Sequence, residues 1–148
     1  MVIKLSKDYL NTLTQWRRDF HQYPEPGWLE FRTTAKIAEQ LETLGYEVKV
    51  GREIIAGERL GLPSQNELDY FYQLAKQEGV SSKWLSKMEG GYTGVIAILD
   101  SGKPGPTIAF RVDIDALPIT EANDEAHVPQ RLGFRSKLDG YMHACGHD

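Results

Sequence analysis

Gly94-Val95-Ile96-Ala97-Ile98-Leu99-Asp100 and Thr107-Ile108-Ala109-Phe110-Arg111-Val112 are short apolar runs rich in β-branched residues, separated by Ser101-Gly102-Lys103-Pro104-Gly105-Pro106. Gly and Pro at that density mark a turn, so the stretch predicts a hairpin. Both faces of such a hairpin are apolar enough to need cover. The expected fold class is therefore a layered α/β or α+β body, a sheet packed by helices.

The helices lie upstream. Ser6 is placed to cap a helix in which Tyr9, Leu13, Trp16 and Phe20 recur at i, i+4, i+7 and i+11, a stripe expected to be core. Tyr23-Pro24-Glu25-Pro26-Gly27 stops it, because proline removes a backbone donor and restricts the residue before it. His21 falls at the helix end, where the dipole favours a cation, so capping is expected of it before metal ligation. A second helix is predicted over 31–44, burying Phe31, Ala35, Ile37, Ala38, Leu41 and Leu44, with Gly45 closing it. Tyr46-Glu47-Val48-Lys49-Val50 alternates at period two and predicts a strand with one wet face.

Residues 51–91 are more polar and irregular. Ser64 and Glu67 form a capping-box pattern ahead of Leu68, Phe71, Leu74 and Ala75, which predicts a helix over 65–78. Ser81 is placed to cap a shorter helix carrying Trp84, Leu85 and Met88. These aromatic and apolar side chains are expected to pack on the main body. As an insertion between strands, the segment could also cover a cleft or meet a partner.

Downstream of the two runs come Asp113 and Asp115. At strand period their carboxylates point the same way, and like charges held close raise a pKa unless a cation shares them. The stretch alone favours two solvated acids in a turn. Residues 120–140, with His127, Pro129 and Gly133, read as a charged surface loop. The chain then reaches Tyr141-Met142-His143-Ala144-Cys145-Gly146-His147-Asp148, with the single cysteine and two of the four histidines. Thiolate and imidazole are transition-metal donors, and Gly146 lets Cys145 and His147 converge on one ion. A lone Cys is also commonly a small buried hydrophobe, and a zinc site needs about four ligands.

A chain of 148 residues, 41% hydrophobic, can bury one core of ordinary size. Net charge −4, without a basic stripe, argues against nucleic acid as partner. One cysteine forms no internal disulfide, the start turns polar too soon for a signal peptide, and no apolar stretch approaches the ~20 residues that span a bilayer. A cytoplasmic location and no membrane association are the expectation.

Trp16-Arg17-Arg18-Asp19-Phe20-His21 with Pro24-Glu25, then Gly27 and Glu30-Phe31-Arg32-Thr33-Thr34, then Arg111-Val112-Asp113-Ile114-Asp115-Ala116-Leu117-Pro118, and finally Met142 to Asp148 resemble the amidohydrolase branch of the M20 metallopeptidases. The resemblance covers nearly the whole chain. It implies the N-terminal part of a zinc-peptidase-like catalytic domain, a mixed sheet packed by helices, incomplete in this chain. Residues 1–148 would then be a partial catalytic domain with a helical insertion at about 51–91, lacking the lid and dimerisation domain.

The implied cofactors are two divalent metal ions, Mn2+ or Zn2+, in the full-length protein. Cys145 and His147 match the family's metal ligands, and Asp115 matches its supporting carboxylate, the catalytic candidate. Asp113 stands where other branches have a ligand histidine. His143 and Asp148 share the last motif in supporting roles. The implied reaction is hydrolysis of an N-acyl amino acid, and the long 51–91 segment narrows it to an aromatic acyl group joined to glutamate, a folate breakdown product. A general N-acyl amino acid hydrolase is the alternative within enzymes. The implied partners are a second copy or a related subunit.

The family's Glu-Glu pair, which supplies the general base, does not occur in these residues. The chain alone is expected to be a poor catalyst, and a non-catalytic, partner-binding piece is the competing class.

Overall fold

The structure, a computed structural model, describes residues 6–146. The described residues form two compact units: 27–115, and 6–26 together with 116–146.

In the 27–115 unit, α2 (Phe31–Thr43) packs against β1 (Glu47–Val50), β2 (Val95–Ile98), α3 (Gln65–Gln77) and α4 (Ser82–Leu85). The apolar face of α2 organises the unit. Leu29, Phe31, Ala35, Ala38, Val50, Leu68, Phe71, Ala75, Trp84, Leu85 and Met88 are its buried apolar residues. Each large side chain among them contributes about 1.5–3 kcal/mol by leaving water. Phe31 meets Tyr72 of α3 edge to face, with ring centroids 5.5 Å apart.

Local signals placed the helix ends well. The amide of Gly45 donates to the Glu42 carbonyl and that of Tyr46 to the Leu41 carbonyl, which closes α2 in a Schellman motif. Ser64 and Glu67 form the predicted capping box, and its hydrogen bonds hold the Glu67 carboxyl below its ordinary range. Ser81 accepts from Lys83 at the start of α4. Leu68, Phe71, Ala75, Trp84, Leu85 and Met88 pack inward as expected, although Tyr70 is exposed, as is Leu44, assigned to the buried side of α2. Gly51 opens a 3-10 turn at φ +74°, and a Cβ there would lie 2.1 Å from the Lys87 carbonyl oxygen, so only glycine fits.

The expected hairpin is not formed. β2 pairs instead with β1, antiparallel, with Glu47 opposite Ile98 and Val50 opposite Val95. The turn chemistry is real, since the Gly102 amide donates to Asp100 Oδ1 at 2.8 Å. Residues 107–112, however, adopt no strand, and Phe110 is 91% exposed. A strand needs a partner for its backbone N–H and C=O groups. Among the described residues none lies alongside this run, so the sheet is a two-stranded one rather than the larger mixed sheet.

In the other unit, α1 (Lys7–Gln22) starts where predicted, with Ser6 Oγ accepting from the Tyr9 amide at 3.2 Å. Its stripe is not core. Tyr9 is 48% exposed, Leu13 is also exposed, and Trp16 and Phe20 are half-buried. Residues 116–146 meet only the last turns of the helix, which bury His21. Short bridges order the rest of the unit. The Ala116 amide donates to the Glu25 carbonyl at 2.8 Å, and Leu117 and Met142 exchange both backbone hydrogen bonds at 3.0 and 3.1 Å. A short helix, α5 (Val128–Arg131), follows His127. Among the described residues no helix is long and apolar enough to cross a membrane.

Candidate functional site

The Leu117–Met142 bridge delivers the last motif to its place. Three residues beyond Met142 the Cys145 thiol is exposed, not the small buried hydrophobe that a lone cysteine often is. Gly146 turns the backbone at φ +78°, as expected of a glycine that bends the chain between two donors. His143 is half-buried, its ring centroid 6.5 Å from that of His21. His147 and Asp148, a predicted ligand and a predicted supporting residue, lie outside the described residues.

The two strand-end acids belong to the 27–115 unit and do not leave a strand. Asp113 is exposed and pairs with Arg111 at 2.6 Å, so its charge is met by a surface cation. Asp115 is exposed, and its charge falls on the buried Glu30. Burial above all pushes the Glu30 carboxyl up, and Asp115 adds to that; the Thr93 hydroxyl and the backbone N–H groups of Glu30 and Trp28 pull it back. Thr93 donates directly to Glu30 Oε2. Nearby, Thr34 Oγ1 accepts from the Gly94 amide at 2.9 Å. Trp28 holds a left-handed φ of +68°, strained for a bulky residue, with its indole N–H tied to the Leu60 carbonyl at 2.9 Å.

The buried polar centre of the other unit was not legible in the sequence. His21 is buried rather than poised at an open helix end, and its Nε2 lies 2.7 Å from Glu121 Oε1. His127 Nε2 lies 2.7 Å from the same oxygen, and the Ser136 amide donates to Oε2 at 2.5 Å. Burial is the largest single influence on Glu121 and pushes its carboxyl up. The hydrogen bonds from His127, His21 and Ser136, with the His21 charge, outweigh it and hold the group below the ordinary carboxylate range. Phe134 packs edge to face on His21, with the Arg18 guanidinium 4.7 Å from its ring centroid. Residues 120–140, read as a surface loop, therefore supply an interior. The available signal was thin: one histidine and one of many acids, whose partner lies a hundred residues back.

A metal centre of the expected kind needs about four donors. Cys145 offers the right chemistry, a soft and accessible thiol. Among the described residues, however, no group of three or more His, Cys, Asp or Glu side chains is arranged to hold an ion. They do not complete such a centre.

By fold and by sequence the chain matches the N-terminal part of M20 peptidase domains. A Bacillus subtilis protein described as a dinuclear metal binding peptidase from the M20 family superposes with TM-score 0.58 at 35% identity, over 96% of this chain and 28% of that one. An aminobenzoyl-glutamate utilization protein from Klebsiella pneumoniae superposes with TM-score 0.69 at 43% identity, over 90% of this chain and 36% of that one. The chain is 50% identical over 137 residues to a subunit of the p-aminobenzoyl-glutamate hydrolase of Escherichia coli, covering 92% of this chain and 31% of that protein. It is 52% identical over 143 residues to indole-3-acetyl-aspartic acid hydrolase of Enterobacter agglomerans, covering 96% and 33%. The chain thus spans about a third of the length of the curated relatives it matches. No protein-family model matches it.

Proposed function

We propose that these residues are part of the catalytic domain of a metal-dependent amidohydrolase that cleaves p-aminobenzoyl-glutamate to p-aminobenzoate and glutamate. The observation that carries the reading is 50% identity to the Escherichia coli p-aminobenzoyl-glutamate hydrolase chain, sustained over 92% of the present one. The exposed Cys145 supports it, as a donor open to an ion. The two units are read as parts of one partial catalytic domain, with 51–91 as an insertion and the lid domain outside the chain.

In the whole protein, Cys145 and His147 would contribute to holding two divalent cations, zinc or manganese, with Asp115 as the supporting carboxylate and Asp113, His143 and Asp148 around them. Ions so held polarise a scissile carbonyl and lower the pKa of bound water. The charge of Asp115 is felt by the buried Glu30 carboxyl, and a cation held at Asp115 would relieve that repulsion. The working assembly is read as a cytoplasmic homodimer or a heterodimer with a related chain. Relatives whose names make them one subunit of a hydrolase support a partner of that kind.

A second reading shares the chemistry and changes the substrate. The 52% identity to indole-3-acetyl-aspartic acid hydrolase favours an indole acyl group on aspartate. Both substrates join an aromatic acyl group to an acidic amino acid, and the two readings share that class. The test is hydrolysis by the whole protein, loaded in turn with zinc and manganese, of p-aminobenzoyl-glutamate, indole-3-acetyl-aspartate and hippurate. Turnover of p-aminobenzoyl-glutamate above the other two is expected. Preference for indole-3-acetyl-aspartate would select the second reading, and preference for hippurate would replace both with a general N-acyl amino acid hydrolase. No hydrolysis of any of them, with either metal, would sink the proposal.

A further inference from the structure

Both carboxylate oxygens of Glu121 and its carbonyl oxygen are engaged. His21 Nε2 and His127 Nε2 each lie 2.7 Å from Oε1, and the Ser136 amide lies 2.5 Å from Oε2. The Arg135 guanidinium donates to the Glu121 carbonyl at 2.8 Å and to the Ala122 carbonyl at 3.1 Å. The Glu121 side chain is fully buried. An ionised carboxylate only accepts, so two imidazole nitrogens can share one of its oxygens only if each carries a proton. The geometry therefore assigns both histidines an Nε2–H.

The same carboxylate is tied to the segment that carries the thiol. Ser136, which donates to Oε2, bonds Leu138 in both directions, its Oγ donating to the Leu138 carbonyl at 2.9 Å and accepting from the Leu138 amide at 3.1 Å. The Leu138 carbonyl takes the Tyr141 amide at 3.2 Å, and Met142 then enters its bridge with Leu117. On the other side, His21 sets its ring beside His143, two residues before Cys145.

We propose that Glu121 is a positioning residue, which holds His21 and His127 as Nε2–H donors and, through Ser136 and His21, fixes the course of residues 141–146 and so the aim of Cys145. The proposal deepens the reading of Cys145 as a working residue of the site. Its test does not depend on any amide being cleaved, so the two can fail separately.

Cys145 is the single cysteine, so the rate at which a thiol reagent modifies the full chain reports on that position alone. His127→Phe keeps a ring and loses the donor, whereas His127→Gln keeps an N–H donor and loses the ring. Glu121→Gln replaces one acceptor oxygen with a donor. If the hydrogen bonds set the aim of Cys145, Glu121→Gln and His127→Phe change the modification rate about fivefold and His127→Gln restores a near-native rate. The reverse order, with Phe native-like and Gln altered, would mean that ring packing is what matters and would overturn the proposal, as would native rates in all three. Nitrogen-15 NMR of the unmodified protein gives a check that needs no variant: both imidazoles should carry a proton on Nε2, and an Nδ1–H tautomer at either one would contradict the assignment.

Discussion

Glu30 and Glu121 are buried glutamates, one in each unit, and their surroundings drive them in opposite directions. Glu30 has one side-chain donor, Thr93, and a carboxylate neighbour, Asp115, and its carboxyl is pushed up. Glu121 has two imidazoles and a backbone amide, and its carboxyl is held low although burial opposes this. Burial by itself therefore does not decide the charge state of a carboxyl group. The number and kind of donors that meet it do. The interiors differ in their apolar share: the 27–115 unit buries Phe31, Phe71 and Met88 beside Glu30, Arg32, Thr33, Thr34 and Thr93, whereas the other buries His21, Glu25, Glu121 and Ser136 with little apolar besides Ala116 and Phe134.

The contrast breaks most visibly at Glu121. Glu121→Ala leaves three donors without their buried acceptor, and breaking a buried charged network of this kind costs about 3–5 kcal/mol. Urea unfolding of the variant against the parent measures it, and a loss below about 1 kcal/mol would mean that water replaces the carboxylate freely.

A pH series sharpens the comparison, because the two groups carry opposite signs. The folded-state pKa of Glu121 is lowered, so its contribution is complete above the unfolded-state value and is lost as pH falls from the ordinary carboxylate range through the folded value. The folded-state pKa of Glu30 is raised, so its contribution is complete at acid pH and is lost as pH rises from the ordinary range through the folded value. Melting temperatures of Glu121→Gln and Glu30→Gln across the acid and neutral range should therefore diverge from the parent in opposite senses: the first gap widens with rising pH, while the second narrows or reverses. Two gaps that change in the same direction with rising pH would show that one of the environments has been misjudged.

The smallest effect belongs to the exposed Arg111–Asp113 pair. Asp113→Asn should change stability by less than about 1 kcal/mol, because an ion pair in water is screened and costs side-chain entropy to hold. A larger loss in the same unfolding experiment would mean that Asp113 meets something more than Arg111.

Short-range chemistry was the legible part. The Ser6 cap, the Ser64–Glu67 box, the closure of α2 at Gly45 and the packing of Trp84, Leu85 and Met88 follow from residues a few positions apart, and they stand where the pattern put them. The last motif was likewise legible as donor chemistry, and its Cys145 is exposed. The failures all depend on a partner distant in sequence. Runs 94–100 and 107–112 look alike, yet β2 pairs with β1 and 107–112 with no strand among the described residues. Tyr9 and Leu13 have the spacing of a core stripe but little is packed on them.

What the residues determined on their own was a set of elements with their ends, a donor-rich motif closing on Cys145 and His147, and a resemblance that the relatives bear out over about a third of their length. What only the tertiary structure decided was which strand β2 would pair with, which face of α1 would be covered, and that Glu121 would meet two histidines, one of them a hundred residues away. The physical reason is one of range. Caps and turns are satisfied by neighbours along the chain, whereas a strand edge or a buried charge is satisfied only by whatever the fold brings to it.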